Sequence, residues 1–88
     1  MKLKNTIFSK LSKLLHPQFI DVVDESDLHK GHAGYKEGGE SHFHVTLVSS
    51  QFKNLSRLAC HQLVYDALVD EMKTIHALRL TLRPPTEH

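Results

Sequence analysis

Three features are scarce in this chain of 88 residues: cysteine, long apolar runs and net charge. Its one cysteine, Cys60, excludes an internal disulfide and is typical of a reducing compartment, so we expect a cytoplasmic protein. No apolar run approaches the roughly 20 residues needed to cross a bilayer. Eleven Lys and Arg residues against ten Asp and Glu leave a net charge near +1, which is too small for the strong phosphate attraction typical of nucleic-acid binders.

Recognisable catalytic patterns are also missing. No carboxylate and histidine stand at the spacing expected of a small metal-dependent enzyme. Cys60 neighbours His61, but adjacent helix positions point about 100° apart, which disfavours a nucleophile and base pair and favours a packed thiol. A chain of this length, with 40% hydrophobic residues, has room for one modest core rather than a deep cleft. We therefore predict a single binding domain over residues 1–88, and no enzymatic activity.

Histidine is the residue type present in excess, with eight copies. Imidazole gains positive charge below neutral pH and ligates metals. The stretch from Asp24 to Phe43 carries His29 and His32 together with all four glycines, and its only large aliphatic residue is Leu28. Because such a stretch cannot form a core, we interpret it as a loop that provides the functional surface.

Hydrophobic periodicity predicts two helices. Apolar residues at helical spacing predict the first helix over Leu3 to Leu15, which Pro17 ends. The many lysines and the lack of acids there also fit a mitochondrial transit peptide, but the segment is needed as a structural helix. The main helix begins after a cap at Asn54 or Ser56, with a short extra helical turn before it, and runs to about Lys73. Apolar residues occupy most of its circumference, which predicts a central, largely covered helix.

Alternating apolar and polar residues predict three strands. They are expected over Phe19 to Asp24, Ser41 to Ser49 and His76 to Arg83. The order α-β-β-α-β predicts an α+β fold, a three-stranded sheet with helices packed on one face and the other face polar. The first two strands should pair antiparallel, and the second and last, if they are neighbours, parallel. His42 and His44 share the polar side of their strand, so we expect both to be exposed.

Four fragments, in this order and spacing, resemble the BolA-like family. They are Val22-Val23-Asp24-Glu25-Ser26 with His29 three positions later, Gly39-Glu40-Ser41-His42-Phe43, His61-Gln62-Leu63-Val64-Tyr65 and Ile75-His76-Ala77. The resemblance covers nearly all of the chain as far as Leu82. It implies a fold similar to class II KH domains. It also implies an adaptor that pairs with a monothiol glutaredoxin and shares or hands on a [2Fe-2S] cluster.

The resemblance further implies which residues ligate the cluster. In the family, one ligand comes from the loop between the first two strands and the other from the histidine at the start of the last strand, which match His29 and His76. His32 is an alternative loop ligand. His61 is less favoured, because its place on the apolar side of the helix predicts a core histidine. Clusters are held mainly by thiolates, so the partner and glutathione bound through it would supply the rest.

A second function class is a KH-like nucleic-acid-binding transcriptional regulator, since some family members are described as regulators. The basic residues Lys2, Lys10, Lys13, Arg79 and Arg83 would form a weak phosphate-binding surface. Gly31-His32-Ala33-Gly34 matches the GxxG string of KH domains, but that string joins two helices there and lies between strands here. The helix motif also lacks the family's basic residues beside His61. The sequence leaves DNA binding and homodimer formation open.

Overall fold

The computed structural model describes residues 2–26 and 41–86. Their regular elements are α1 (Leu3–Leu15), β1 (Phe19–Asp24), β2 (His42–Val48), α2 (Arg57–Ala67) and β3 (Ala77–Arg83). Short 3₁₀ turns occur at Ser50–Phe52 and at Glu71–Lys73. The predicted order and the extra turn before α2 are both confirmed, and the predicted strand bounds hold to within one residue.

The three strands form one mixed sheet in the order β1-β2-β3. β1 and β2 run antiparallel with Phe19 opposite Val48, and β2 and β3 run parallel with His42 opposite Ala77. Both predicted pairings are confirmed. Since parallel neighbours begin at the same edge of a sheet, the start of β3 lies beside the start of β2.

One face of the sheet is buried by the two helices. The strands bury alternate apolar residues on this face, and each helix buries one apolar stripe against them. The buried core consists of Ile7, Leu11, Leu15, Val22, Phe43, Val45, Leu47, Phe52, Cys60, Val64, Leu68 and Ile75. The packed thiol predicted for Cys60 is confirmed.

α1 ends where the sequence predicts, but its buried stripe is narrower than the sequence suggests. His16 adopts a left-handed conformation with φ 43° and ψ 57°, and its N–H donates to the carbonyl of Ser12 at 3.2 Å. Pro17 follows and cannot continue the helix. Phe8 and Leu14, two of the apolar residues whose helical spacing predicts this helix, are exposed.

α2 ends earlier than predicted. Its cap is Ser56, whose hydroxyl oxygen accepts the Ala59 N–H at 3.0 Å. At the other end the N–H of Leu68 is shared between the carbonyls of Val64 and Tyr65 at 3.1 and 3.2 Å, which tightens the last turn and stops the helix. The predicted continuation to Lys73 is wrong. The sequence does not reveal the end of the helix, because neither glycine nor proline marks it and the apolar residues continue at helical spacing beyond it.

The prediction that α2 is largely covered is also wrong. Leu58 in α2 is 77% exposed, and Val69, which lies in the predicted helix but after the observed end of α2, is 61% exposed. The helix is buried only through Cys60 and Val64, which are four residues apart and so lie on one side of it. A sheet of three strands with helices on one face provides no second layer, so the outer side of α2 remains at the surface.

An ion pair joins α1 to the segment that leads into β3. Lys10 Nζ lies 2.9 Å from both carboxylate oxygens of Glu71, and Glu71 is buried. The Glu71 carbonyl accepts the N–H groups of Thr74 and Ile75, each at 3.1 Å. Glu71 therefore stabilises the approach to β3 through both its side chain and its backbone.

Replacing Glu71 with Gln should lower the free energy of unfolding by about 1–2 kcal/mol, because the amide keeps the shape but loses the charge-assisted bond to a partly exposed lysine. Urea unfolding measures this change. A double-mutant cycle with Lys10→Met isolates the pair, and a coupling energy near zero would show that the ion pair does not stabilise the fold.

Candidate functional site

His76 lies immediately before β3, as predicted, and its side chain is exposed. Its backbone N–H donates to the Ser41 carbonyl at 2.8 Å, and the same carbonyl accepts the Ala77 N–H at 3.1 Å. Within residues 2–26 and 41–86 the ring makes no hydrogen bond, but its centroid lies 5.1 Å from that of His42, with the planes tilted by 50°. The structure thus presents an imidazole at the edge of the sheet where β2 and β3 begin.

The residues that flank segment 27–40 on either side, Ser26 and Ser41, are hydrogen-bonded to each other next to this edge. The Ser26 hydroxyl oxygen accepts the backbone N–H groups of Ser41 at 3.0 Å and His42 at 3.2 Å. The Glu25 N–H donates to the His42 carbonyl at 2.7 Å, and the Ser26 N–H donates to Asp24 Oδ1 at 2.9 Å. These bonds extend the pairing of β1 with β2 beyond the regular strands. Because Ser41 also binds His76, the segment joins the sheet beside His76.

The predicted loop ligand His29 and its alternative His32 fall within 27–40, outside the described residues. Their assignments therefore stay predictions. The structure does describe the flanking residues Ser26 and Ser41, which meet beside His76.

His42 is buried, contrary to the expectation of an exposed polar face. It is 5% exposed, and its Nδ1 lies 2.8 Å from the Ser41 hydroxyl oxygen. Strand alternation predicts on which side a residue lies but not what covers it, and here the ring of His76 packs against it. His44 is only partly buried, and its Nε2 lies 2.9 Å from Thr81 Oγ1.

An ion pair crosses the open side of the sheet near His44. Arg79 Nη2 donates to Glu25 Oε2 at 2.8 Å and lies 3.4 Å from His44 Nδ1. Arg79 was expected to contribute to a phosphate-binding surface. Its charge is instead partly balanced by Glu25, which weakens any attraction it would exert on phosphate.

The described residues do not assemble a complete metal site. Among residues 2–26 and 41–86, no three His, Cys, Asp or Glu side chains come together in an arrangement that could hold a metal ion. The thiol of Cys60 is buried in the core. An exposed imidazole at His76 fits a single ligand position in a site whose other ligands come from elsewhere.

His61 is not the core histidine that the sequence predicts. It is partly buried, and its ring centroid lies 6.5 Å from that of Tyr65. Two open grooves flank it. One, of about 590 Å³, is lined by Arg57, Leu58, His61, Gln62 and Tyr65. The other, of about 270 Å³, is lined by Arg57, His61, Leu80, Thr81 and Leu82. Among residues 2–26 and 41–86, no element packs over the outer side of α2, which explains the partial exposure of His61.

Comparison with known proteins decides the family. A family model described as BolA-like protein matches residues 11–87. The chain belongs to the BolA-like family. This confirms the resemblance found in the four sequence fragments. Within the part of the chain that the structure describes, neither helix combines the length and apolar content needed to span a bilayer.

Similar proteins extend over almost the whole chain. The DNA-binding transcriptional regulator BolA of Haemophilus influenzae is 38% identical over 88 residues, which cover 99% of this chain and 82% of that protein. The structure of BolA1 from Arabidopsis thaliana has a TM-score of 0.86 at 35% identity, covering 100% of this chain and 97% of that one. The BolA domain of SufE1 from Arabidopsis thaliana has a TM-score of 0.82 at 38% identity, covering 93% and 91%. These similarities confirm the predicted α+β fold as that of BolA-like proteins.

Sequence reasoning missed the polar cluster of Ser26, Ser41 and His42 that supports the start of β2. All three residues lie inside the fragments that resemble the BolA-like family, so a signal was present. Their role becomes visible only from their contacts, because the serines come from opposite ends of segment 27–40.

Replacing Ser26 with Ala should lower the free energy of unfolding by about 2–3 kcal/mol, because two buried backbone N–H groups lose their acceptor. Urea unfolding measures the loss. Ser9→Ala, at an exposed position of α1, is the matched control and should change stability by less than about 0.5 kcal/mol. Equal effects of the two substitutions would show that the Ser26 hydroxyl does not hold the loop ends together.

Proposed function

We propose that this BolA-like protein docks on a monothiol glutaredoxin and supplies His76, together with His29, as ligands of a [2Fe-2S] cluster shared by the two proteins. Such an adaptor would serve iron-sulfur cluster assembly, trafficking or iron sensing. One observation carries the proposal. An exposed imidazole with no hydrogen bond in the described part of the chain lies next to Ser41, which is hydrogen-bonded to Ser26, and these two residues flank a histidine-bearing segment; the only thiol of the chain is buried.

The ligand chemistry supports a site divided between two proteins. Iron-sulfur clusters need several thiolates, and imidazole can replace thiolate on one iron with a rise in reduction potential. Cys60 is the only cysteine and lies in the core. The thiolates would therefore come from the glutaredoxin and from glutathione bound to it. The exchange of thiolate for neutral imidazole would change the charge of the cluster and favour its retention over its donation.

Chain length supports His29 as the companion of His76. His29 follows Ser26 by three residues, so covalent geometry limits the distance between their Cα atoms to about 11 Å. Ser26 is hydrogen-bonded to Ser41, and Ser41 is hydrogen-bonded to His76. The chain length therefore allows His29 to come close to His76. His32 follows Ser26 by six residues, which roughly doubles the limit and constrains it less.

Titration of cluster-loaded glutaredoxin with this protein tests the proposal. We expect the visible circular dichroism of the cluster to change with the native chain, because imidazole enters the coordination sphere, and to stay unchanged with His76→Ala. His29→Ala and His32→Ala identify the loop ligand, since only one of them should reproduce the His76→Ala result.

The matched control is His44→Ala, which removes another histidine from the open side of the sheet. It should give the native spectrum. A native spectrum from His76→Ala as well would remove His76 from the ligand set, and no response to any form of the chain would contradict docking on glutaredoxin.

DNA binding is the alternative function, and the name of the Haemophilus influenzae relative supports it. In the described part of the chain, Arg57 forms no ion pair and lines both grooves beside His61, whereas Arg79 is paired with Glu25. Arg57 is therefore one candidate phosphate contact on this chain. Aromatic Tyr65 in the same groove would add a face for base stacking.

If DNA binds at this surface, Arg57→Gln should weaken binding equally for all sequences. It should also reduce the slope of log affinity against log salt by about one, because one phosphate contact is lost. Fluorescence anisotropy with duplex DNA at several salt concentrations measures both. Lys73→Gln, which removes a cation already paired with Asp70, is the control. Binding that is insensitive to salt and to Arg57→Gln would contradict the alternative.

A further inference from the structure

The dipeptide Ser41-His42 contacts both the backbone and the side chain of His76. The Ser41 carbonyl accepts the His76 N–H at 2.8 Å, and the His42 ring centroid lies 5.1 Å from the His76 ring centroid. His76 is exposed and has no hydrogen bond from its ring within the described residues, so its ring contact with His42 is an interaction that can limit its orientation there.

The His42 ring is itself held by two buried serines. Ser26 Oγ accepts the backbone N–H groups of Ser41 and His42. The Ser41 hydroxyl donates to Ser26 Oγ at 3.3 Å. Ser41 Oγ also lies 2.8 Å from His42 Nδ1, within hydrogen-bond distance. The two serines therefore hold the Nδ1 side of the His42 ring.

A histidine side chain at position 42 is not needed to join the two residues that flank segment 27–40. The backbone N–H groups of Ser41 and His42 already bind Ser26, and that contact needs no imidazole at position 42. Yet the residue is a buried histidine with a directed hydrogen bond on one nitrogen and a ring contact to His76. A buried polar ring carries a desolvation cost that an apolar residue would avoid.

We propose that His42 is a positioning residue that orients the His76 imidazole for its ligand role. This inference rests on the proposed function of His76, and it assigns to the buried Ser26-Ser41-His42 cluster the task of holding the exposed ring in one rotamer. A ligand that is already oriented loses less conformational entropy when a partner engages it.

The free protein gives the first test, without any cluster. Three-bond couplings to the ring carbon report the χ1 rotamer of His76 by NMR. We expect one dominant rotamer in the native chain and averaged couplings in His42→Ala. His42→Phe keeps a ring of similar size but has no Nδ1 to bond Ser41, so it should restore only part of the order. His44→Ala, two residues along the same strand, is the control and should leave the couplings unchanged.

The glutaredoxin titration gives the second test. An aromatic ring contact is typically worth enough to change an affinity about three- to tenfold. His42→Ala should therefore weaken formation of the shared cluster by about that factor and shift its circular dichroism, while His42→Phe gives a smaller loss and His44→Ala stays near the native values. Urea unfolding of each variant identifies the fraction folded, and the comparison is made under conditions where all are folded.

The outcomes separate this inference from the proposed function. Unchanged His76 couplings in His42→Ala, or equal couplings in His42→Ala and His42→Phe, overturn the positioning role. Averaged couplings in His42→Ala together with a native spectrum for His76→Ala would support ordering of His76 by His42 but reject His76 as a ligand, and so reject the proposed function alone.

Discussion

The hydroxyl oxygen of Ser26 accepts two backbone N–H groups from the start of β2, and the rest of the site depends on this contact. It brings together the chain on either side of segment 27–40 and continues the pairing of β1 with β2 to the edge of the sheet. At that edge the Ser41 carbonyl accepts two N–H groups from the start of β3. The buried side chain of Ser26 thus holds the start of β2 in place. The parallel pairing of β2 with β3 then fixes the backbone of His76 relative to it.

The small size of the domain explains which surfaces are available for partners. The two helices bury one face of the three-stranded sheet. The opposite face carries polar pairs such as Arg79 with Glu25. Within the described ranges, no further layer covers the outer side of α2 and the turn after it, so Leu58 and Val69 stay exposed. A domain of this size cannot enclose a deep site, and its chemistry must therefore take place at an edge or on an open face. The exposed His76 is at such an edge.

Much of the fold could be predicted from local patterns, because those patterns have local causes. Pro17 ends α1 by its covalent structure, and alternation sets the strand faces. The end of α2 could not be predicted, since Leu68 ends it through shared backbone bonds that no glycine or proline announces. The exposure of Leu58 and the burial of His42 depend on which layers pack nearby, which periodicity does not encode. His76 was located correctly at the start of β3, whereas its contact with His42 joins residues that are far apart in the sequence.

A ligand offered to a second protein has to satisfy two conditions that conflict. It must be exposed, so that the partner can reach it, and it must be ordered, so that binding does not lose the free energy needed to fix a loose side chain. Cys60 satisfies only the second condition, because the core surrounds it. In the proposed function, His76 would meet the first by its exposure, and its backbone hydrogen bond to Ser41 and ring contact with His42 would serve the second. A buried polar cluster beside an exposed imidazole would then resolve this conflict without a deep pocket.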